Sequence, residues 1–203
     1  MTRSPRNGFF VCIEGLDGCG GTTQSRLLVE KLVKGGRDAV YTMEPTRGRI
    51  GGLIREYCLY GKSRAPGVVE ALLFAADRFE HVQYEIIPAL DKARLVVSDR
   101  YLYSSLSYQG SAGLSIDWIR KINAHAIRPD LAIFIDVDPE VAVQRLKTRK
   151  SIMETLENQR RVRELYMGFV EAGELVMIDG ADSIEEVSVE IFSAVCEFLE
   201  AMP

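Results

Sequence analysis

The densest chemistry in the chain lies in Gly15-Leu16-Asp17-Gly18-Cys19-Gly20-Gly21-Thr22-Thr23. Its glycines let backbone N–H groups turn inward around an anion, and the helix expected to follow adds the positive end of its dipole. An apolar strand pattern precedes the segment, which is the context a phosphate-binding loop requires. Thr22 falls where a hydroxyl would ligate Mg²⁺. The general pattern G-x-x-x-x-G-K-[ST] has a lysine just before that hydroxyl, and this chain has Gly21 there. The lysine ammonium ordinarily neutralises charge at the β- and γ-phosphates while the phosphoryl group moves. A close charge pair is worth about 4 kcal/mol at intermediate dielectric. Losing part of it costs roughly 10²–10³ in rate. The backbone cradle survives the change, so phosphate binding is less threatened than catalysis. On the loop alone, a glycine-rich turn without a ligand competes with this reading.

Two more pairs have chemical potential. Asp99-Arg100 stands at the C-terminal end of a buried strand pattern, where open α/β sheets place ligands. Asp99 suits Mg²⁺ beside Thr22, and Arg100 suits a phosphate; a strand-end ion pair is the alternative. Phe74 and Arg78 are four apart on a helical pattern and share a face. The ring can stack on a pyrimidine while the guanidinium forks a phosphate or pairs with the base edge. Without other motifs, a core phenylalanine beside a surface arginine explains the pair as well.

The elements that must position these residues alternate between strand and helix, which signals an α/β fold with a parallel sheet. Strands are expected at about 8–14, 38–42, 95–98, 131–137 and 175–179. Helices are expected at about 22–34, 53–59, 67–92 (interrupted by Pro88), 115–125, from Pro139 onward, and after the Ser183-to-Glu186 capping box. The segment 147–163 is highly charged and lacks an apolar run. The 203 residues make one domain, with hydrophobic residues at 47% and charged residues at 27%. A net charge of −4 disfavours a polymeric nucleic acid as partner, so cations meeting an anionic ligand must be clustered locally. The apolar runs are too short to span a membrane. Cys12, Cys19, Cys58 and Cys196 fit neither a zinc site nor a disulfide framework, which suggests a reduced, cytoplasmic protein.

Several segments occur in a telling order: Glu14-Gly15-Leu16-Asp17-Gly18, Glu44-Pro45-Thr46, Leu73-Phe74-Ala75-Ala76-Asp77-Arg78, Asp99-Arg100-Tyr101 with Ser104 and Tyr108-Gln109-Gly110, and Pro129-Asp130-Leu131 leading to Asp136-Val137-Asp138-Pro139-Glu140. Together they resemble the thymidylate kinases, over most of the chain. The resemblance implies a three-layer α/β sandwich around a five-stranded parallel sheet, of the P-loop nucleoside-monophosphate-kinase type, and often a homodimer. It also implies ATP and dTMP as substrates, ADP and dTDP as products, and Mg²⁺ as cofactor. Residues 15–23 would then cradle ATP. Asp17 would approach the sugar 3′-hydroxyl of dTMP or the metal. Tyr108 would lie beside the sugar, disfavouring a ribose 2′-hydroxyl. Ser105 and Gln109 are candidates for polar contacts to the base, and Arg47 or Arg49 for clamping the dTMP phosphate. The charged segment would be a lid. One subgroup of the family has glycine where another has a basic residue inside the loop, and supplies an arginine from the lid instead. Gly18 aligns this chain with that subgroup. Arg149 is then the candidate for packing on adenine, Arg145 for the phosphates or lid hinge, and Lys150 for the transferred phosphoryl group. Gly21 keeps a second expectation open: a family member that binds nucleotides with little turnover. A kinase with shifted deoxynucleotide specificity is a third.

Overall fold

The computed structural model describes residues 8–61, 65–146 and 155–201. Five strands form one all-parallel sheet: β1 (Phe9–Gly15), β2 (Ala39–Met43), β3 (Leu95–Asp99), β4 (Leu131–Asp136) and β5 (Val176–Asp179), in the order β2-β3-β1-β4-β5. The central strands β1, β3 and β4 are nearly continuous apolar runs because helices cover both faces. β5 lies at an edge and leaves Val176 and Met177 exposed.

Helices α1 (Gly21–Lys34) and α9 (Ile184–Glu200) pack together against the sheet. A second group contains α3 (Gly67–His81), α5 (Leu102–Ser111), α6 (Ile116–Ile122), α7 (Pro139–Arg145) and α8 (Leu156–Glu171). The remaining helical segments are the short α2 (Arg49–Leu53) and α4 (Ile87–Leu90). The fold is thus the expected three-layer α/β sandwich of P-loop nucleoside-monophosphate-kinase type.

The expected helix starts at Ser115, Asp138 and Ser183 are present, each with a side-chain oxygen accepting from a first-turn N–H; Ser183 and Glu186 form the full capping box. The long pattern expected over 67–92 is α3, then wider π turns over Val82–Ile86, then α4 with Pro88 in its first turn. Proline has no N–H to give an α-helical ladder, so it falls at a fresh start where none is needed. α2 likewise continues as π turns over Ile54–Leu59. α6 stops at Ile122, short of the expected end near His125. Two helices were not expected at all. α5 is rich in Ser and Tyr, weak helix formers, and is sustained by burial of Ser105 through Gln109. α8 occupies the second half of the charged segment, capped by Thr155 and buried through Gln159, Val162, Tyr166 and Phe169. Among the described residues, no helix is long and apolar enough to cross a membrane.

Candidate functional site

β1, β3 and β4 end on one edge of the sheet, and the glycine-rich loop joins β1 to α1 there. Gly18 (φ 89°) and Gly20 (φ 95°) adopt the left-handed conformation that favours glycine. A Cβ on Gly18 would also collide with the backbone oxygen of Ala142 in α7. Gly18→Ala is therefore expected to cost about 1–3 kcal/mol, measured as a lowered urea midpoint. No side chain caps α1, whose N-terminal N–H groups are left for an anion. Gly21 is different. Its φ is not positive, and a Cβ there would stand 3.3 Å from Asp99 Oδ1 and 3.6 Å from Cys19 Sγ. A longer side chain needs only a small local adjustment, so backbone geometry does not explain the missing lysine.

Thr22 and Asp99 are brought together as expected. Thr22 Oγ1 donates to Asp99 Oδ2 at 2.5 Å, and the Tyr41 hydroxyl donates to the same oxygen at 3.2 Å. Hydroxyl and carboxylate oxygens are the hard donors Mg²⁺ takes, and it usually fills its remaining positions with water and phosphate. Among the described residues no cluster of His, Cys, Asp and Glu could by itself hold a metal ion.

Asp17, Arg100 and Tyr108 also converge. Arg100 has φ 70°, an uncommon backbone state for an arginine and one found preferentially at ligand sites. Its Nη1 donates to Gly15 O (2.9 Å) and Ser104 Oγ (3.1 Å), and its Nη2 to Asp17 Oδ1 (2.8 Å). The guanidinium lies 5.3 Å from the centre of the Tyr108 ring. Burial opposes its charge, but the Asp17 carboxylate beside it helps hold it protonated. The Asp17 N–H points to the Tyr108 hydroxyl at 3.0 Å. Burial and the Asp17 charge push the Tyr108 phenol far up, so it stays neutral.

Sequence reasoning missed Gln159. It is fully buried on α8, accepting from the Asp17 N–H (3.3 Å) and donating to Asp17 Oδ2 (3.3 Å). The only signal was an uncharged amide amid charged neighbours. Beneath this group, Glu14 accepts from Ser104 Oγ (2.7 Å), the Tyr166 hydroxyl (3.0 Å) and the Tyr101 N–H (3.0 Å). Burial raises its carboxyl against those bonds and the nearby arginines.

The expected base pocket is built differently at Arg78. The spacing with Phe74 on α3 holds, and Phe74 is half-buried against Ile54, Cys58 and Ala65. Arg78, however, is 1% exposed and committed to protein acceptors. Nε and Nη2 fork onto Glu44 Oε2 (3.0 and 2.7 Å), Nη1 donates to Asn123 Oδ1 (2.6 Å), and Nη2 also reaches Tyr101 O and Ser105 Oγ. The buried Glu44 carboxylate thus holds inside the guanidinium that was expected to fork a phosphate or pair with the base edge. Ser105 is buried in the same network. Gln109 Nε2 donates to Glu70 (2.9 Å), and its buried Oε1 has no hydrogen-bond partner among the described residues.

Arg47, on the loop after Thr46, and Arg49, the first residue of α2, are both exposed, with nothing to choose between them. Thr46 anchors that loop through its N–H and hydroxyl to Asp77 (2.7 and 2.6 Å), and Arg55, another residue sequence reasoning missed, clamps the Pro45 and Thr46 carbonyls. Arg145, exposed at the end of α7, approaches Gly180 O at 3.3–3.4 Å. Arg149 and Lys150 lie outside the described residues. Cys19 is buried in the phosphate loop with its thiol pushed up to about 11 by burial, so it is not a reactive thiolate.

Comparison with known proteins places the same segments in one family. The model of the family described as thymidylate kinase matches residues 13–191. A probable thymidylate kinase of Pyrococcus abyssi is 45% identical over 196 residues, covering 93% of this chain and 96% of its own. One of Methanocaldococcus jannaschii is 42% identical over 186 residues (91% and 94%), and one of Staphylothermus marinus 38% identical over 200 residues (97% and 98%).

Proposed function

Since the chain belongs to the thymidylate kinase family, we propose that it transfers the γ-phosphoryl group of ATP to dTMP, giving ADP and dTDP for dTTP synthesis. The observation that supports this best is the meeting, at one sheet edge, of an uncapped glycine-rich loop, the Thr22–Asp99 pair and the Asp17–Arg100–Tyr108 group. An anion cradle, hard oxygen ligands and a fixed cation are what phosphoryl transfer needs, since it depends on positioning and charge more than on a base.

In this reading residues 15–23 bind the ATP phosphates, with Arg145, Arg149 and Lys150 contributing from α7 and the lid at 147–163. Thr22 and Asp99 hold Mg²⁺, which when bound screens the phosphate charges. Arg100 orients the acceptor phosphate, together with Arg47 or Arg49. Asp17 faces the sugar, the Tyr108 ring closes the pocket where a ribose 2′-hydroxyl would go, and Phe74 stacks on thymine. Ser105 and Gln109 line the base side, and Arg78 serves it from behind, through Ser105. The protein acts in the cytoplasm as a homodimer of single-domain subunits.

A coupled assay of ADP formation with ATP, Mg²⁺ and a panel of monophosphates tests the proposal. Turnover of dTMP in clear preference to dCMP is expected. Gly21→Lys is expected to raise turnover by about 10- to 100-fold, with dTMP binding little changed. If neither form makes ADP while both bind dTMP, the chain is a nucleotide-binding family member, the reading that Gly21 favours. Equal activity on dTMP and dCMP overturns the thymine-pocket assignment.

A further inference from the structure

We infer that Tyr41, backed by Arg26, is a positioning residue for Asp99, supplying in this chain part of the support that a lysine at position 21 would give. The inference rests on the kinase reading above. Asp99 is 6% exposed. A carboxylate so buried needs donors or a cation beside it, because its charge has lost most of its water. Position 21, next to Asp99 Oδ1, is a glycine and offers no side-chain donor or cation. The support comes from the other side, where Oδ2 takes two hydroxyls, Thr22 at 2.5 Å and Tyr41 at 3.2 Å. Thr22 is also the residue whose hydroxyl would face the metal. That leaves Tyr41 as the donor with no other assignment.

The fold makes the contact from two directions. Tyr41 is on the edge strand β2, two residues before Met43, which is paired with Asp99. The alternation of side chains puts positions 41 and 99 on one face as diagonal neighbours. Arg26 is on α1 one turn after Thr22, on the same helix face. Its guanidinium lies 5.3 Å from the centre of the Tyr41 ring. A cation over a phenol ring holds the ring in place and polarises its O–H toward an acceptor. The arrangement therefore adds one positive charge and one directed hydrogen bond beside a carboxylate that has no cationic side chain at position 21.

Tyr41→Phe, Arg26→Gln and Arg26→Lys test this in two backgrounds, the Gly21 chain and Gly21→Lys. The measurements are turnover and, by calorimetry, the extent to which Mg²⁺ tightens ADP binding. In the Gly21 chain Tyr41→Phe is expected to lower kcat about tenfold and to weaken the Mg²⁺-dependent part of ADP binding about fivefold, with metal-free ADP binding and the KM for dTMP changed less than about twofold. Arg26→Gln is expected to act in the same direction by about threefold, and Arg26→Lys to recover most of that loss. In Gly21→Lys both effects shrink to less than about twofold, because the ammonium then supports Asp99 directly. Unchanged Mg²⁺-dependent binding in Tyr41→Phe, or equal losses in both backgrounds, overturns the inference. If no form phosphorylates dTMP, the kinase reading fails and the binding data alone decide: loss of the Mg²⁺-dependent tightening in Tyr41→Phe upholds the positioning role, and its persistence removes it.

Discussion

Arg78→Met is expected to destabilise the protein by about 3–5 kcal/mol and to lower its thermal midpoint by about 6–20 °C. The size comes from what the substitution leaves behind. Glu44 has a side chain only 3% exposed, and Arg78 forks onto one of its oxygens while His81 Nδ1 meets the other at 3.0 Å. His81 is itself enclosed, with Nε2 2.7 Å from Thr42 Oγ1, and Thr42 in turn donates to Glu85. Without the guanidinium, the buried Glu44 side chain keeps His81 as its remaining partner of this pair. Asn123 Oδ1 loses its donor at the same time. Methionine fills much of the volume, so the loss measured is electrostatic rather than a cavity. Adding Glu44→Gln to Arg78→Met should recover part of the stability, since the stranded charge is then gone. A loss below about 1 kcal/mol in chemical denaturation would mean that the Arg78–Glu44 pair does not hold the fold.

Arg100→Lys is expected to lower kcat/KM for dTMP by about 10²–10³ while the fold is kept. The guanidinium does three things that an ammonium cannot do together. It closes on Gly15 O at the entrance of the phosphate loop, fixes Asp17, and lies over the Tyr108 ring. Lysine offers a point charge on a flexible stem and loses the planar fork. Steady-state kinetics paired with a melting curve distinguish the outcomes. A loss below about tenfold with an unchanged midpoint would remove Arg100 from the acceptor site.

Much of this architecture was legible in the sequence where local chemistry and tertiary role agree. The apolar runs of β1, β3 and β4 are unambiguous because both of their faces are covered. The starts of α6, α7 and α9 are marked by Ser115, Asp138 and Ser183, whose side chains do the capping wherever the helix lies. Thr22 and Asp99, 77 residues apart, could be paired because a strand end and a helix start meet at the edge of a parallel sheet. α5 was hidden because nothing local in Leu102–Ser111 favours a helix; its stability comes from the side chains it buries. Gln159 was hidden by its charged neighbours, since the helical phase that turns it inward follows from packing on α5. Arg78 was found without its protein partners, because its i, i+4 relation to Phe74 says which face they share and not that Glu44 waits beneath it.

The sheet order also has a consequence for how the chain comes to be usable. β1 carries the phosphate loop and is made first, yet its neighbours are β3 and β4, never β2. The Phe10 N–H finds its acceptor on Asp130, 120 residues later. Pairings that distant form late, after a large loop has been closed. On the ribosome, the strand that carries the glycine-rich loop would therefore gain its first neighbour only with β3 and its second only when β4 had emerged. Nucleotide cannot help the first half of this protein to fold; it can only reward a chain that is already two-thirds made.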